Sequence, residues 1–244
     1  MHQDRFYLPH APTTHEIWLH GEEAHHILHV KRAKLGSKIT LFDGKGVEYL
    51  ARITEILHDT LKVFIEESRS VNREPGIDIT IAFSIPKGKL ATFLIQKCAE
   101  LGVKTLIPLH CKRSVVDIRN KSGDKIERWN KVAIEASKQC KRNFITKIEG
   151  VMSFDSLMKT VHNYDLSLIA CTEPHTKKLK SLLSEHPSVR KIICLIGPEG
   201  GFTQTEIETA EKVGCLPVSM GHSILRIETA AIAISSMLLY AYTD

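Results

Sequence analysis

From residue 77 onward, short apolar runs alternate with segments of helical periodicity, and this alternation limits the possible folds more than any other feature of the chain. Repeated strand–helix units form a parallel sheet that is covered by helices. We predict the strands of such a sheet at Ile77–Ser84, Lys104–His110, Thr146–Val151, Asp165–Cys171, Lys191–Ile196 and Leu216–Met220. The helices are predicted at Lys89–Gly102, Lys125–Cys140, Phe154–His162, Lys177–Glu185, Glu206–Val213 and Glu228–Tyr242.

The chain before residue 71 favours β-structure instead. Strands are predicted at Lys38–Phe42, Val47–Leu57 and Thr60–Glu66, with a short helix at Glu22–Val30. A polar segment containing Pro75 and Gly76 then interrupts the pattern. We place a domain boundary there, between a domain of residues 1–72 and a domain of residues 73–244.

A glycine-containing segment between two of these strands, Phe42–Gly46, resembles the acidic loop of Rossmann-type methyltransferases. In that fold a helix follows the loop, so that the helix N-terminus faces the ligand. Here the predicted strand Val47–Leu57 follows. The segment therefore favours a tight hairpin turn.

The composition argues against a membrane protein and against a secreted one. The chain has 244 residues, and no run approaches the roughly 18 consecutive apolar residues that a membrane span needs. The N-terminus lacks the basic and apolar segments of a signal peptide. We therefore expect a soluble, cytoplasmic protein with no membrane partner. The net charge of +5 is compatible with a polyanionic partner.

Cysteine and histidine spacing predicts neither a disulfide framework nor a metal site. The six cysteines include no CxxC pair, and the thirteen histidines include no HExxH motif. His25 and His26 are adjacent, so they would point in different directions on a helix. We expect free thiols and no bound metal.

The loop Gly197–Gly201 is the most informative segment of the chain. A wholly apolar strand runs into this loop, and Thr203 and Glu206 form a capping box that starts a helix directly afterwards. In open α/β sheets, ligands bind at the carboxyl ends of the strands, where this loop would lie. Its spacing is that of neither a P-loop nor a dinucleotide fingerprint. An ordinary turn that merely needs glycine is an equally good reading of this loop alone.

A second segment, Met220–Ala230, also follows a predicted strand and leads into a helix. It contains Gly221, Arg226 and Glu228 in otherwise apolar surroundings. Two glycine loops at the ends of successive strands would form a pocket. The alternative for Arg226 is a structural arginine held in an ion pair.

Together these segments resemble the family of ribosomal RNA small-subunit methyltransferases that modify N3 of a uracil in 16S rRNA. The family belongs to the SPOUT superfamily. Its I/L-G-P-E-G-G-F and L-G-x-R-I-L-R-x-E-T-A patterns correspond to Ile196–Phe202 and Met220–Ala230. Further similarity lies at Lys87–Lys89, Gln96–Val103, Arg113–Ser114, Trp129–Asn143 and His25–Gly44. Ser223 stands where the family usually has arginine, and Lys141 where glycine is common.

The resemblance implies the fold, the reaction and the partners. The fold would be a small N-terminal β-barrel, the PUA-like RNA-binding domain, followed by a SPOUT-type α/β domain with a C-terminal trefoil knot. The enzyme would use S-adenosyl-L-methionine and act on 16S rRNA or the 30S subunit. It would be a homodimer. The predicted last helix is apolar nearly all round, which suits burial in a core or at a subunit interface equally well.

The resemblance and the strand-end positions together give candidate site residues. As catalytic residues we predict Arg226, which would stabilise negative charge on the uracil, and Glu228, which would orient Arg226, act as the base or interact with the helix N-terminus. The predicted donor-binding residues are Ile169, Ala170, Cys171, Ile196, Gly197, Pro198, Glu199, Gly200, Gly201, Met220, Gly221, Ser223, Ile224 and Leu225. The predicted RNA contacts are Arg5, Lys31, Arg32, Lys87, Lys89, Lys112, Arg113, Lys138 and Arg142, with Lys131 on the same helix face as the last two.

Two other functions are compatible with the same sequence. The chain could be a non-catalytic RNA-binding or ribosome-assembly factor built on this fold. It could also be a related knotted methyltransferase that acts on transfer RNA or on a ribose 2′-hydroxyl. Open glycine loops favour an enzyme, because a pure RNA-binding protein has no need of a donor pocket.

Overall fold

The computed structural model describes residues 4–116, 122–172 and 176–243. By its internal contacts the chain divides into two units. The first unit contains the chain up to Arg73 together with Ser137–Ile145, and the second contains Glu74–Ala136 and the chain from Thr146 onward. The sequence-based division kept Ser137–Ile145 in the second domain, whereas the structure groups that segment with the first unit.

The first unit is built on a sheet that is antiparallel except for one strand pair. Its described strands are β1 (Arg5–Tyr7), β2 (Glu16–Leu19), β3 (Lys38–Phe42), β4 (Val47–Leu57) and β5 (Thr60–Ser70). They follow the order β1–β3–β4–β5–β2, with β1 parallel to β3. The predictions located β3, β4 and the first part of β5. They missed β1 and β2, which are too short to show an alternating pattern.

The helix between β2 and β3 changes its hydrogen bonding halfway. Helix α1 (Gly21–His25) continues directly into a π-helical turn, His26–Val30, in which Lys31 N–H donates to the carbonyl of His26 at 2.9 Å. The predicted helix Glu22–Val30 is therefore helical over its whole length. Its second half is wider than an α-helix, because its hydrogen bonds span five residues instead of four.

The turn between β3 and β4 is the tight hairpin that the sequence predicts for Phe42–Gly46. Asp43 Oδ1 accepts the backbone N–H groups of Lys45 at 2.7 Å and Val47 at 3.1 Å. The strands on either side pair antiparallel. The acidic residue thus closes a turn, which is a structural role.

Backbone hydrogen bonds explain why Ser137–Ile145 belongs to the first unit. Gly46 N–H donates to the carbonyl of Asn143 at 3.1 Å, and Ile145 N–H donates to the carbonyl of Gly44 at 3.3 Å. A Cβ added to Gly44 would lie 2.5 Å from Ile145 Cδ1, and one added to Gly46 would lie 2.8 Å from an aromatic ring. Glycine lets the hairpin and this segment approach closely.

Three cations predicted to contact RNA are instead buried inside the first unit. Lys138 and Arg142 are 8% and 5% exposed, and the side chain of Arg5 is 8% exposed. Lys138 Nζ lies 2.9 Å from Glu23 Oε1, and Arg5 Nη1 lies 3.0 Å from Glu48 Oε2. The prediction of RNA contact is wrong for these three residues, because their side chains are enclosed by protein and are not available to a phosphate.

The second unit is built on a parallel sheet, as the alternation predicts. Its described strands are β6 (Asp78–Ser84), β7 (Thr105–His110), β8 (Lys147–Ile148), β9 (Met152–Ser153), β10 (Leu166–Ala170), β11 (Lys177–Lys178), β12 (Lys191–Ile196) and β13 (Leu216–Ser219). The order is β11–β13–β10–β12–β6–β7–β8, and β9 also pairs with β7. Every pair in this sheet is parallel. The carboxyl ends of β10, β12 and β13 therefore lie at one edge.

The described helices of the second part of the chain are α2 (Leu90–Glu100), α3 (Ser122–Cys140), α4 (Phe154–Met158), α5 (Leu179–Glu185), α6 (Gln204–Lys212) and α7 (Ile227–Tyr242). Residues from Ser137 onward in α3 group with the first unit. Among the residues that the structure describes, none of these helices combines the length and the apolar character that crossing a bilayer requires.

Two predicted elements were wrong in extent. Of the predicted strand Thr146–Val151 only β8, Lys147–Ile148, is a strand; Glu149, Gly150 and Val151 follow it, and β9 begins after them at Met152. The predicted helix Phe154–His162 ends at Met158, and a 3₁₀ turn follows. Apolar content alone predicted these segments, and it does not locate the points where strands and helices break.

Helix α7 has one buried face and one face that remains exposed. Ile227, Ala231, Ile234 and Leu238 are buried, and the helix packs against α2 and β6. Tyr240, on the other face, is 92% exposed. The core therefore accounts for only part of the apolar surface of this helix.

The buried network around Glu48 predicts a pH-dependent stability. Burial by itself would raise the pKa of Glu48, but hydrogen bonding and charge from Arg73, and the charge of Arg5, bring that pKa below its usual value. A carboxyl whose pKa is lowered by folding stabilises the folded state at pH values above its pKa in the unfolded chain, about 4.3. That stabilisation is lost as the pH falls through the lower pKa that the group has in the folded chain. The stability difference between the wild type and Glu48→Gln in urea unfolding should therefore be largest near neutral pH and shrink on acidification. A stability difference that stays constant with pH would contradict this prediction. Glu55→Gln, on the exposed part of β4, is the control variant.

Candidate active site

The loop Gly197–Gly201 leaves the carboxyl end of β12 and leads into α6. The carbonyl of Pro198 accepts the N–H of Gly201 at 2.8 Å, which closes a turn. Gly201 has a φ of +69°, a conformation that glycine adopts without strain. Thr203 caps α6, and Glu206 completes the predicted capping box by accepting the N–H of Thr203 at 2.8 Å.

Neighbouring groups fix the shape of this loop. Arg113 Nη1 donates to the carbonyl of Gly200 at 2.7 Å, and Glu206 Oε1 accepts the N–H of Lys112 at 2.8 Å. A Cβ added to Gly197 would lie 3.0 Å from the ring of Phe202. The glycine loop is thus preorganised by the segment that follows β7 and by the start of α6.

The second predicted loop follows β13 and leads into α7. Cys171 N–H, just after β10, donates to the carbonyl of Val218 at 3.1 Å. Ser219 Oγ donates to the carbonyl of Gly221 at 3.2 Å. Ile224 is 84% exposed although its side chain is apolar. The first contact joins the ends of β10 and β13, and the pairing of Ala170 with Ile196 places the end of β10 beside the start of the glycine loop.

A cavity of about 330 Å³ lies between these loops. Its wall includes every predicted donor-binding residue except Ile169. Ile169 is fully buried in the core of the unit, so its assignment to the pocket was wrong. Ala170, the last residue of β10, and Cys171 after it line the cavity, whereas Ile169 lies one residue further back, inside the strand. The lining residues that the sequence did not assign to the pocket are Arg113, Thr172, Phe202, Ile207, Val218, Ser219 and Ala230.

The cavity wall is mainly backbone and apolar side chains. Within the described part of the chain, the charged lining residues are Arg113 and Glu199, and both are exposed. Ile196, Phe202 and Leu225 supply apolar surface. Such a site can hold a flat, largely apolar ligand group with backbone amides and carbonyls.

The structure brings Arg226 to the edge of this cavity and leaves Glu228 outside it. Arg226 follows the lining residue Leu225, is the N-cap of α7 and has an exposed side chain. Glu228 is 7% exposed in the first turn of α7. No hydrogen bond or ion pair joins the two side chains among the residues described, so the predicted orientation of Arg226 by Glu228 is not seen.

Comparison with known proteins identifies the family. The sequence matches a family model described as the RNA methyltransferase domain over residues 72–239, and one described as the RNA methyltransferase PUA domain over residues 19–66. Ribosomal RNA small subunit methyltransferase E from Bacillus subtilis is 32% identical over 90% of this chain and 88% of its own length. The chain belongs to this family. The resemblance stated from the sequence is confirmed, and the chain is an RNA methyltransferase.

Solved structures agree with this assignment. Ribosomal RNA small subunit methyltransferase E from Neisseria gonorrhoeae, bound to S-adenosyl methionine, is similar with a TM-score of 0.89 at 30% identity and covers 100% of this chain and 99% of that chain. A Legionella pneumophila protein in complex with the bound cofactor SAM is similar with a TM-score of 0.90 at 33% identity, over 100% of both chains. The mixed α/β fold, with a small sheet and a parallel sheet, is therefore that of the family.

The remaining predicted RNA contacts of this methyltransferase are exposed. Lys87, Lys89 and Lys112 lie on the second unit, in the segments that follow β6 and β7. Lys31 and Arg32 are exposed on the first unit, where Lys31 Nζ pairs with Asp4 at 2.7 Å. Their exposure makes them accessible to RNA.

Four buried thiols of this methyltransferase are unsuited to nucleophilic catalysis. None of the six cysteines, all of which the structure describes, forms a disulfide. Burial raises the pKa of Cys98, Cys111, Cys194 and Cys215 to about 12. Because the thiolate is the nucleophile, these four groups are protonated and unreactive at neutral pH.

One group of side chains in the first unit has the composition of a metal site. His25, His29 and Asp59 place potential ligand atoms within 4.8 Å of one another, and all three residues are exposed. His29 Nε2 lies 2.8 Å from Asp59 Oδ1. A surface hydrogen bond between these two side chains accounts for their approach.

Proposed function

We propose that the chain methylates N3 of a specific uridine in 16S rRNA of the small ribosomal subunit, with S-adenosyl-L-methionine as the methyl donor, in the cytoplasm. The observation that supports this most directly is the cavity between Gly197–Gly201 and the loop after β13. Family membership supports a ribosomal RNA substrate. The resemblance of Met220–Ala230 to the pattern of the uracil-N3 methyltransferases supports uracil as the modified base and N3 as the methylated atom.

The residues of the cavity fit the donor. Gly200 and Gly201 leave the backbone accessible, and an added Cβ on Gly201 would meet open space. Ile196 and Leu225 offer apolar surface for an adenine ring. No buried carboxylate lines the described wall, so the site does not neutralise a positively charged sulfur. Bound there, S-adenosyl-L-methionine supplies an electrophilic methyl group.

Arg226 would stabilise the reacting base. Uracil N3 carries a proton that must leave at or before methylation, and the negative charge then spreads onto the ring carbonyl oxygens. A guanidinium donates hydrogen bonds to such oxygens and carries a permanent positive charge. Arg226 lies at the edge of the cavity with an exposed side chain, so it can reach a base presented there. Glu228, buried in the first turn of α7, would act by favourable interaction with the helix N-terminus.

RNA would dock around the cavity through exposed cations. Lys87, Lys89, Lys112 and Arg113 belong to the segments that follow β6 and β7, on the same edge of the sheet as the glycine loop. Phosphate contacts by lysine and arginine give most of the affinity for nucleic acid. The uridine would have to be unstacked to present N3.

A second copy of the chain would complete the site. An apolar groove of about 930 Å³ lies between α5 and α7 and is lined by Met237 and the largely exposed Tyr240. Ser219, Met220 and Gly221 line both this groove and the donor cavity. A homodimer that buries the exposed face of α7 would therefore place its interface beside the donor.

The knot and the barrel complete the proposed fold. In the sheet, β13 lies on the opposite side of β10 from β12 although it follows β12 in sequence. That crossing, with the glycine loop and the loop after β13 side by side, is compatible with the trefoil knot of the SPOUT superfamily. The five-strand order of the first unit is compatible with a small PUA-like barrel.

Methylation mapping tests the function. The full chain is incubated with methyl-labelled donor and with 16S rRNA, either naked or in 30S subunits, from cells that lack the modification. The proposal predicts one labelled N3-methyluridine, identified by mass spectrometry of the digested RNA. Label on a ribose or on transfer RNA would point to a related methyltransferase. RNA binding without donor binding or transfer would point to a non-catalytic assembly factor.

Replacement of Arg226 tests the catalytic assignment. Arg226→Ala should lower kcat by roughly 10²–10³-fold, the usual loss when one donor to a developing negative charge is removed, with little change in donor affinity. Arg190→Ala is the matched control, because Arg190 is exposed just before β12 at the opposite end of that strand. Equal losses in kcat and donor affinity, or no loss, would exclude this role for Arg226.

A further inference from the structure

A second, smaller cavity of about 110 Å³ lies in the second unit where three segments meet. The segment after β6 contributes Ile85 and Lys89, the segment after β7 contributes Val116, and the first turns of α3 contribute Lys125 and Arg128. Among the residues that the structure describes, this cavity and the donor cavity have no lining residue in common. It is therefore a separate feature of the surface.

The two cavities nevertheless lie on the same edge of the sheet. Strand β6 pairs in parallel with β12 on one side and β7 on the other, so the carboxyl ends of all three face the same way. The segment after β7 joins the cavities, because its Arg113 lines the donor cavity and its Val116 lines the smaller one. Ser84 Oγ and Ser114 Oγ, 3.1 Å apart, hold the two segments together.

The charge of the smaller cavity is positive. Lys89, Lys125 and Arg128 are all exposed at its wall, and no carboxylate is among its described lining residues. Within residues 4–116, 122–172 and 176–243, none of these three cations makes a salt bridge. Lys125 and Arg128 are three residues apart on α3, a spacing that places both on one face of the helix. The three positively charged residues therefore line the same small cavity.

The backbone adds to this positive field. Lys89 is the N-cap residue of α2, and its own side chain makes no capping hydrogen bond. The first N–H groups of an α-helix have no partner within the helix, and a helix N-terminus carries partial positive charge. Gly88, with a φ of +65°, allows the chain to turn into the helix at the cavity wall.

An aromatic residue, Trp129, forms part of the wall of this cavity. Trp129 is only 4% exposed, so its ring is not available for a nucleobase to stack on. The site therefore favours a small, highly charged group over a base. A phosphate has this chemistry, because it accepts hydrogen bonds from lysine, arginine and helix N-termini at once.

We infer that this cavity binds a backbone phosphate of the RNA whose nucleotide is methylated in the neighbouring donor cavity, with Lys89, Lys125 and Arg128 as its ligands. The inference rests on the proposed function. It places the RNA-contacting part of α3 at the N-terminal end of the helix, whereas Lys138 near the C-terminal end and Arg142 just beyond that end are buried. The site is 110 Å³ in size, which suits one phosphate group and its contacts rather than a folded partner.

RNA-binding titrations with the full-length protein test the inference. A fluorescently labelled 16S rRNA fragment that the wild type methylates is titrated with Lys125→Ala, Arg128→Ala and the double variant over a series of salt concentrations. Each single replacement should weaken binding by about tenfold, as expected for loss of a charged hydrogen bond. Each should also make the slope of log affinity against log salt shallower by about one unit, because one phosphate contact is lost. Lys159→Ala removes the same charge from an exposed position outside the cavity and should leave both quantities unchanged.

Donor affinity, measured by calorimetry, separates this inference from the proposed function. Normal donor binding by the variants shows that the second unit is folded, and weakened RNA binding then supports the phosphate site. Variants that bind RNA with the wild-type affinity and salt slope, or no more weakly than Lys159→Ala, overturn the phosphate site while the methyltransferase stands. If the wild-type protein binds the donor but neither binds nor methylates RNA, both the phosphate site and the proposed function are overturned.

Discussion

The preorganised turn after β12 is the constraint on which the rest of the account depends. Its glycines would not by themselves form a pocket, because an unsupported glycine loop is flexible. Arg113 holds the carbonyl of Gly200, and the ring of Phe202 packs against Gly197. Glu206 then joins the start of α6 to the segment after β7. The loop is therefore open to a ligand yet fixed in shape, and binding requires little further ordering.

The parallel sheet turns this local geometry into a site. Because its strands run in one direction, loops that are far apart in sequence meet at one edge. The glycine loop, the loop after β13 and the cations after β6 and β7 all depend on that arrangement. The sequence predicted the alternation that produces such a sheet. It did not predict the strand order, because hydrophobic periodicity carries no information on which strands become neighbours.

The errors of the sequence analysis have specific physical causes. Ile169 was assigned to the pocket by its position near a strand end, but the cavity wall begins at the next residue, Ala170, and Ile169 is packed in the core. Lys138 and Arg142 are basic residues typical of an RNA-binding surface, and only the folded chain shows that both are buried and that Lys138 pairs with Glu23. Strands β1 and β2 were too short to detect. By contrast, the capping box at Thr203 and the hairpin at Asp43 were predicted correctly, because each is specified by residues within a few positions of one another.

Calorimetric titration of S-adenosyl-L-methionine into Gly201→Val and Gly214→Val tests the central claim most directly. Both glycines have positive φ, +69° and +94°, and neither has an atom within 4 Å of an added Cβ, so valine strains the backbone similarly at each. Of these two glycines, Gly201 lines the cavity, and Gly214 is not among the lining residues that the structure describes. The account predicts that Gly201→Val abolishes binding while Gly214→Val binds as the wild type does. Unchanged binding by Gly201→Val, or equal losses in the two variants, would contradict it.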